Sequence, residues 1–107
     1  MPFDALTVAL SLIPLLRKPV AAIARRDRDL ARQLRRAASS IPSNVGEGRE
    51  RQGADREHLY RVALGSAAEV GAALQVAVGW GYVEAADVAA VHVELDRVRA
   101  MLWRLTR

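Results

Sequence analysis

The chain has 107 residues, 51% hydrophobic and 26% charged, with Gly 7, Pro 4 and no cysteine, which suits one globular domain over residues 1–107 and leaves no room for a second. Without cysteine there is no disulfide framework, thiolate metal site or cysteine nucleophile, and two histidines argue against a histidine metal site, so neither a metal nor another cofactor is expected. Sixteen basic residues, fifteen of them arginine, stand against 12 acidic ones for a net charge of +4 and an isoelectric point near 10.6, an unusual balance in so short a chain.

Aromatics are 5% and the apolar content is mostly Ala, Val and Leu, which favours close-packed helices; so small a core also favours oligomerisation. Helical periodicity dominates, and no stretch alternates with period two. A first segment covers residues 4–23, with Leu6, Leu10, Ile13 and Leu16 or Arg17 along one side. Pro14 and Pro19 fall inside it and predict a kink or break, because each removes an internal hydrogen bond and crowds the preceding turn. A second starts with Asp27 or Asp29 as N-cap and lays Leu30, Leu34, Ala37, Ile41 and Val45 on one face, with a bend at Pro42. Residues 46–54, rich in Gly, Arg and Glu, suggest a helix end and a loop, after which Asp55 caps a long third helix. There Leu59, Ala63, Ser66, Val70, Ala73, Ala77 and Trp80 form a seam. Gly65, Ala67, Ala68, Gly71 and Ala72 predict close helix approach or a flat face for a second subunit. Gly79 and Gly81 mark its end, Glu84 or Asp87 opens a fourth helix, and Val88, Val91, Leu95, Val98, Leu102 and Leu105 make the fourth seam. Four such helices joined by short loops predict an all-α, antiparallel up-down-up-down four-helix bundle.

Two apolar stretches bear on targeting. Residues 6–16 are preceded by Asp4 and followed by Arg17 and Lys18, the reverse of a secretory signal, and the run is short for a bilayer span. Residues 62–83 are long enough but contain Glu69, Gln75 and the glycines at 65, 71, 79 and 81, which suits a buried helix of a soluble bundle. A cytoplasmic protein without membrane contact is the expectation.

The basicity is local. Residues 17–61 carry a net charge of +6 and the rest of the chain −2. Arg25, Arg28, Arg32, Arg35 and Arg36 recur at three and four and so share a side of helix two away from its apolar face; Arg49 and Arg51 follow in the loop. A polyanion fits such a stripe, because each neutralised phosphate releases counterions and arginine grips phosphate bidentately. A solvated helix face explains the same residues without a ligand, with Asp27 and Asp29 partly offsetting the charge.

Few residues suggest chemistry. Residues 44–48 lack the glycine spacing and lysine of a phosphate loop; Asn44 and Glu47 are better placed to bridge helix ends, the amide satisfying backbone groups and the carboxylate pairing with an arginine. Glu69 is the sole acidic or basic side chain between Val62 and Val83 and, if buried, needs a partner such as Arg35, Arg36 or the Asn44 region. Arg51 and His58 resemble in spacing the arginine-histidine pair of some small helical ribonucleases, where arginine stabilises a phosphate and histidine handles the proton, but Gly53 and Asp55 intervene. No catalytic residue is assigned. His92 suits a helix surface, and Trp80, Tyr82 and Trp103 suit core or interface anchors near helix ends.

The run from Gln33 through Ile41, Pro42, Ser43 and Asn44 to Gly48, followed by Arg51 and by Leu59 through Gly65 and Ser66 to Glu69 and Val70, resembles the four-helix-bundle family encoded by 23S ribosomal RNA intervening sequences. The resemblance covers helices two and three, about half of the chain. It departs at Gly46, where the family usually has alanine, at Leu59, where it often has phenylalanine, and in a first helix that carries prolines and lacks the usual aromatics. The resemblance implies a four-helix subunit of a homopentameric ring. It also implies distant similarity to the accessory variability proteins of diversity-generating retroelements, which are pentameric and bind nucleic acid and a reverse transcriptase. Arg35, Arg36, Asn44, Glu47, Arg51 and Glu69 match the family's polar motif positions. The leading expectation is a non-enzymatic oligomer that binds RNA or DNA non-specifically through its arginine patch. A protein-protein adaptor that binds no nucleic acid competes with it, and a small helical ribonuclease is the distant alternative.

Overall fold

The computed structural model describes residues 4–107, and every regular element among them is helical: α1 (Ala5–Ala24), α2 (Arg28–Arg49), α3 (Gly53–Gly79) and α4 (Ala85–Leu105). Connections of three to five residues join them, at 25–27, 50–52 and 80–84. Helix α1 packs against α2 and α4, and α3 packs against the same two. One apolar core draws on all four helices, with Leu12, Ile23, Leu34, Ile41, Leu74 and Leu102 fully enclosed. Truncating any of these leucines or isoleucines to alanine costs about 2–5 kcal/mol, since lost transfer energy and a cavity add.

Asp4 begins α1 as its N-cap, accepting the Thr7 backbone N–H at 2.8 Å. That bond, with help from the Arg49 guanidinium, holds the Asp4 carboxyl below its ordinary value. Neither Pro14 nor Pro19 breaks the helix. The carbonyls they leave without a helical donor belong to Leu10 and Leu15, both exposed residues. The predicted stripe is out of phase: Leu10 is 52% exposed, and the buried face is Val8, Ala9, Leu12, Leu16, Val20 and Ile23. The first half of α1 has only Thr7 and Ser11 as polar side chains, a weak contrast for choosing a face. Its second half chooses one, because Val20 and Ile23 extend the buried row while Arg17 and Lys18 occupy the other side.

Asp27 caps α2 through the Leu30 N–H at 2.9 Å, and the predicted apolar face from Leu30 to Val45 is buried. The helix continues through Pro42 and Gly46 to Arg49, three residues beyond the expected end. Two contacts hold that last turn. A side chain at Gly48 would lie 2.6 Å from Cε1 of Tyr60, so only glycine lets the tyrosine ring rest directly on the α2 backbone. Arg56 then reaches back from α3, its Nε donating to the Gly48 carbonyl at 3.1 Å and its Nη2 to the Arg49 carbonyl at 3.0 Å. Both carbonyls lie in the last turn of α2, where helical donors run out; that of Gly48 also accepts the Arg51 backbone N–H at 3.1 Å.

Gln52, not Asp55, occupies the N-cap of α3; Gly53 turns the chain with φ of 59°, and Asp55 lies in the first helical turn, where the helix dipole favours a carboxylate. The α3 core face is Tyr60, Ala63, Ala67, Val70, Ala73, Leu74 and Ala77. Trp80, expected in the seam, is 69% exposed, because the helix ends at Gly79 before the seam can carry it inward. In α4 the seam from Val88 to Leu102 is buried and Leu105 is exposed. The Glu84 N–H donates to the Asp87 carboxylate at 3.0 Å as the chain enters that helix. Both α1 and α3 are long and apolar enough to cross a membrane, so the expectation that the first stretch is too short does not hold for the helix it forms.

Candidate functional site

The outer face of α2 is set by its sequence. Because its apolar residues fix which side enters the core, Arg28, Arg32, Arg35 and Arg36 are all exposed on the other. Arg28 and Arg36 are eight residues apart, roughly 12 Å along the axis. That span covers three or so base-pair steps along the axis of a duplex, at about 3.4 Å per charge of one strand. Arg32 lies 4.0 Å from Asp29, but the two side chains are 75% and 79% exposed, a geometry that contributes little. Arg28, Arg35 and Arg36, together with Arg25 at the α1 C-cap, have no carboxylate within salt-bridge reach among the described residues.

Arg49 and Arg51 are differently placed. Arg49 pairs with Asp4 at 3.3 Å, joining the end of α2 to the start of α1, and Arg51 pairs with Glu47 at 3.2 Å. Thirteen residues separate Arg36 from Arg49, about 20 Å of helix. The seven candidate arginines therefore divide into four without a carboxylate (Arg25, Arg28, Arg35 and Arg36), Arg32 loosely paired with Asp29, and Arg49 and Arg51 at the far end of α2, both engaged by carboxylates.

The proposed polar network does not form as expected. Glu69 is exposed and makes no ion pair among the described residues, and Arg35 and Arg36 are exposed on another helix. Helical geometry explains this: Glu69 shares the outer side of α3 with Val62, Gly65, Ala72 and Val76, not the core side with Ala67 and Val70. Asn44 is half-buried inside α2 and not at its end, and its amide donates to the Ser40 carbonyl at 2.8 Å and to Ser40 Oγ at 2.9 Å. Ser40 Oγ in turn lies 2.8 Å from Ser66 Oγ, so the polar link between α2 and α3 is a serine pair steadied by an asparagine. The sequence reading places Ser66 in the α3 seam but does not pair it with Ser40, which stands one helical turn before Asn44.

Other arginines also serve the fold. Arg61 donates to Glu57 at 2.6 Å and to the Thr106 carbonyl at 3.2 Å, tying α3 to the end of α4. The Arg26 guanidinium lies 5.6 Å from the Tyr82 ring centre, and Tyr82 OH donates to Asp27 at 3.4 Å, so the 25–27 and 80–84 connections are linked. Tyr82 is thus an anchor near helix ends, whereas Trp80 and Trp103 are exposed, Trp103 with Arg107 over its ring at 5.7 Å. His58 is exposed and has no hydrogen-bond partner among the described residues; His92 is half-buried beside Gln75 and Val88.

The outer face of α3 is the second notable surface. Val62, Val76 and Trp80 are exposed there, with Gly65, Ala68, Ala72 and Gly79 among them. A methyl group added at Gly65, Gly71 or Gly79 would meet nothing within 4 Å. Glycine inside a helix costs about 1 kcal/mol relative to alanine, and nothing in the single chain accounts for it.

A solved structure described as a protein of unknown function from the S23 ribosomal protein family of Bacteroides thetaiotaomicron superposes with a TM-score of 0.85. The alignment covers 96% of this chain and 98% of that one at 16% identity, a likeness of fold. No curated protein matches the sequence. The sequence profile of the 23S rRNA-intervening sequence protein family matches residues 16–104, which takes in the second half of α1, all of α2 and α3, and all but the last residue of α4. With four helices of the expected lengths and a profile match over most of its length, the chain belongs to the 23S rRNA-intervening sequence protein family.

Proposed function

We propose that this protein is a non-enzymatic, oligomeric, up-down-up-down helical bundle that binds RNA or DNA without sequence preference through the outer face of α2. The observation that carries this reading is that Arg28, Arg35 and Arg36 stand exposed at helical spacing with no carboxylate to neutralise them. Three or four phosphate contacts per chain bind weakly, and symmetry raises them to a useful avidity. The outer face of α3 supports assembly: its exposed apolar residues and its glycines suit close approach by a second copy, and the five-membered ring implied by the family resemblance would use such a surface. A cytoplasmic setting belongs to the same reading. No catalysis is assigned to Arg51 and His58, because Glu47 engages the arginine and nothing orients the imidazole.

A gel-shift titration with single- and double-stranded oligonucleotides tests the proposal. Binding is expected at about 50 mM salt and is expected to fall steeply by about 200 mM. Absence of any shift at the lower salt would favour the second reading, an adaptor or structural oligomer that binds no nucleic acid, for which the exposed Val62, Val76 and Trp80 are the supporting observation.

A further inference from the structure

We propose that the groove between α1 and α2 receives an acidic amphipathic helix of a partner protein. The groove has a volume of about 290 Å³, and its floor is aliphatic: Ile13, Leu16 and Val20 from α1 and Ala38 from α2. An apolar cavity of about 150 Å³ accommodates a benzene ring, so this one has room for two apolar side chains. The α1 floor residues recur at three and four and run about 10 Å along the helix, so the depression is elongated along the helix pair. Such a shape suits helix-in-groove recognition, in which anchors at i, i+3 or i+4, and i+7 enter a hydrophobic slot.

Charge selects the occupant. Arg17 borders the groove from α1 and Arg35 from α2; both are exposed and have no carboxylate partner among the described residues. The two grooves between α1 and the α4 side differ in this respect. One already contains the Arg97–Glu94 pair at 3.1 Å, and the other sets Asp87 beside Lys18 and Arg25. The α1–α2 groove therefore combines an apolar floor with uncompensated guanidinium groups on two sides, which fits a helix whose apolar stripe is flanked by Asp or Glu. Nucleic acid fits the floor less well, because no aromatic ring is present there to stack a base. Arg35 borders this groove and also belongs to the arginine face proposed for nucleic acid, whereas Arg28 and Arg36 do not line the groove and Arg17 and Ser39 do.

Fluorescence anisotropy with the full chain tests it. The probe is a fluorescein-labelled helical peptide with Leu at i, i+4 and i+7 and Glu on both flanks; the controls are a scrambled peptide of the same composition and a version with Lys in place of Glu. Micromolar binding of the acidic amphipathic peptide is expected, weakened at least about tenfold in both controls and in an Arg17→Glu/Arg35→Glu variant. Ser39→Trp, which fills the groove from an exposed position, is expected to weaken it similarly while circular dichroism remains unchanged. Equal binding of the scrambled peptide, retention of binding in the variants, or no binding of the acidic peptide would overturn the proposal. So would an RNA oligonucleotide whose binding Ser39→Trp abolishes, since that would assign the groove to nucleic acid.

Discussion

Gly48→Ala is a sensitive probe of how α2 meets α3, because local propensity and tertiary packing predict opposite signs. Alanine is about 1 kcal/mol better than glycine inside a helix, so on propensity alone the substitution stabilises. The added Cβ, however, would lie 2.6 Å from Cε1 and 2.9 Å from Cδ1 of Tyr60, where carbon atoms ordinarily sit about 3.5–4.0 Å apart. Tyr60 is only 5% exposed, so its ring has little free space into which to retreat. Overpacking of this kind costs about 1–3 kcal/mol, which leaves a net loss of about 1 kcal/mol and a Tm lowered by about 4 °C or more for a domain of this size. Thermal and urea unfolding at fixed protein concentration measures it, concentration being held because assembly shifts Tm. In a Tyr60→Val background both clashing ring carbons are gone, and the same Gly48→Ala change is expected to become stabilising. A substitution that stabilises the wild-type protein as much as the Tyr60→Val variant would refute the close approach.

Three further outcomes follow from particular contacts. Arg56→Met keeps the aliphatic stem but removes the donors to the Gly48 and Arg49 carbonyls, and is expected to cost about 1 kcal/mol in urea unfolding, with Arg56→Lys failing to restore it because a single ammonium cannot reproduce the fork. Ser66→Ala leaves Ser40 without its partner on α3 and is expected to destabilise by about 1 kcal/mol, with the Ser40→Ala/Ser66→Ala double variant losing less than the sum of the single losses. Asp4, whose folded carboxyl titrates below its ordinary 3.8, contributes stability that is present above that value and lost as pH falls through the lower folded one. The Tm difference between wild type and Asp4→Ala is therefore expected to shrink as acid denaturation is followed from pH 7 to about pH 3.

Helices α2 and α4 were legible in the sequence because polar residues oppose their apolar rows, leaving one way to bury each. The first half of α1 has little such contrast, and its face was decided by residues 20 and 23 further along the helix. In α3, Gly and Ala on every side make core and surface rows nearly equivalent, so Tyr60 and Ala67 took places that periodicity gave to Leu59 and Ser66. Glu69 went to the outer row for the same reason. The arginine face of α2 was readable, but which arginines are neutralised was not: the pairing of Arg49 with Asp4 and the caps made by Arg56 and Arg61 depend on how helix ends meet in space. Asp29, Glu47 and Asp4 then divide a stripe that is uniform in one dimension into free and engaged members.

The central claim is that the free arginines of α2 neutralise phosphates, and the salt dependence of RNA binding tests it most directly. Affinity for a single-stranded RNA is to be measured across salt concentrations for wild type and for Arg28→Gln/Arg35→Gln/Arg36→Gln, with folding checked by circular dichroism. Each single-strand phosphate contact contributes about 0.7 to the log–log slope. The triple variant is thus expected to bind at least about tenfold more weakly at 50 mM salt, with a slope shallower by about 2 for each subunit engaged. Identical affinity and slope in the two proteins, or no binding by wild type at low salt, would contradict the account.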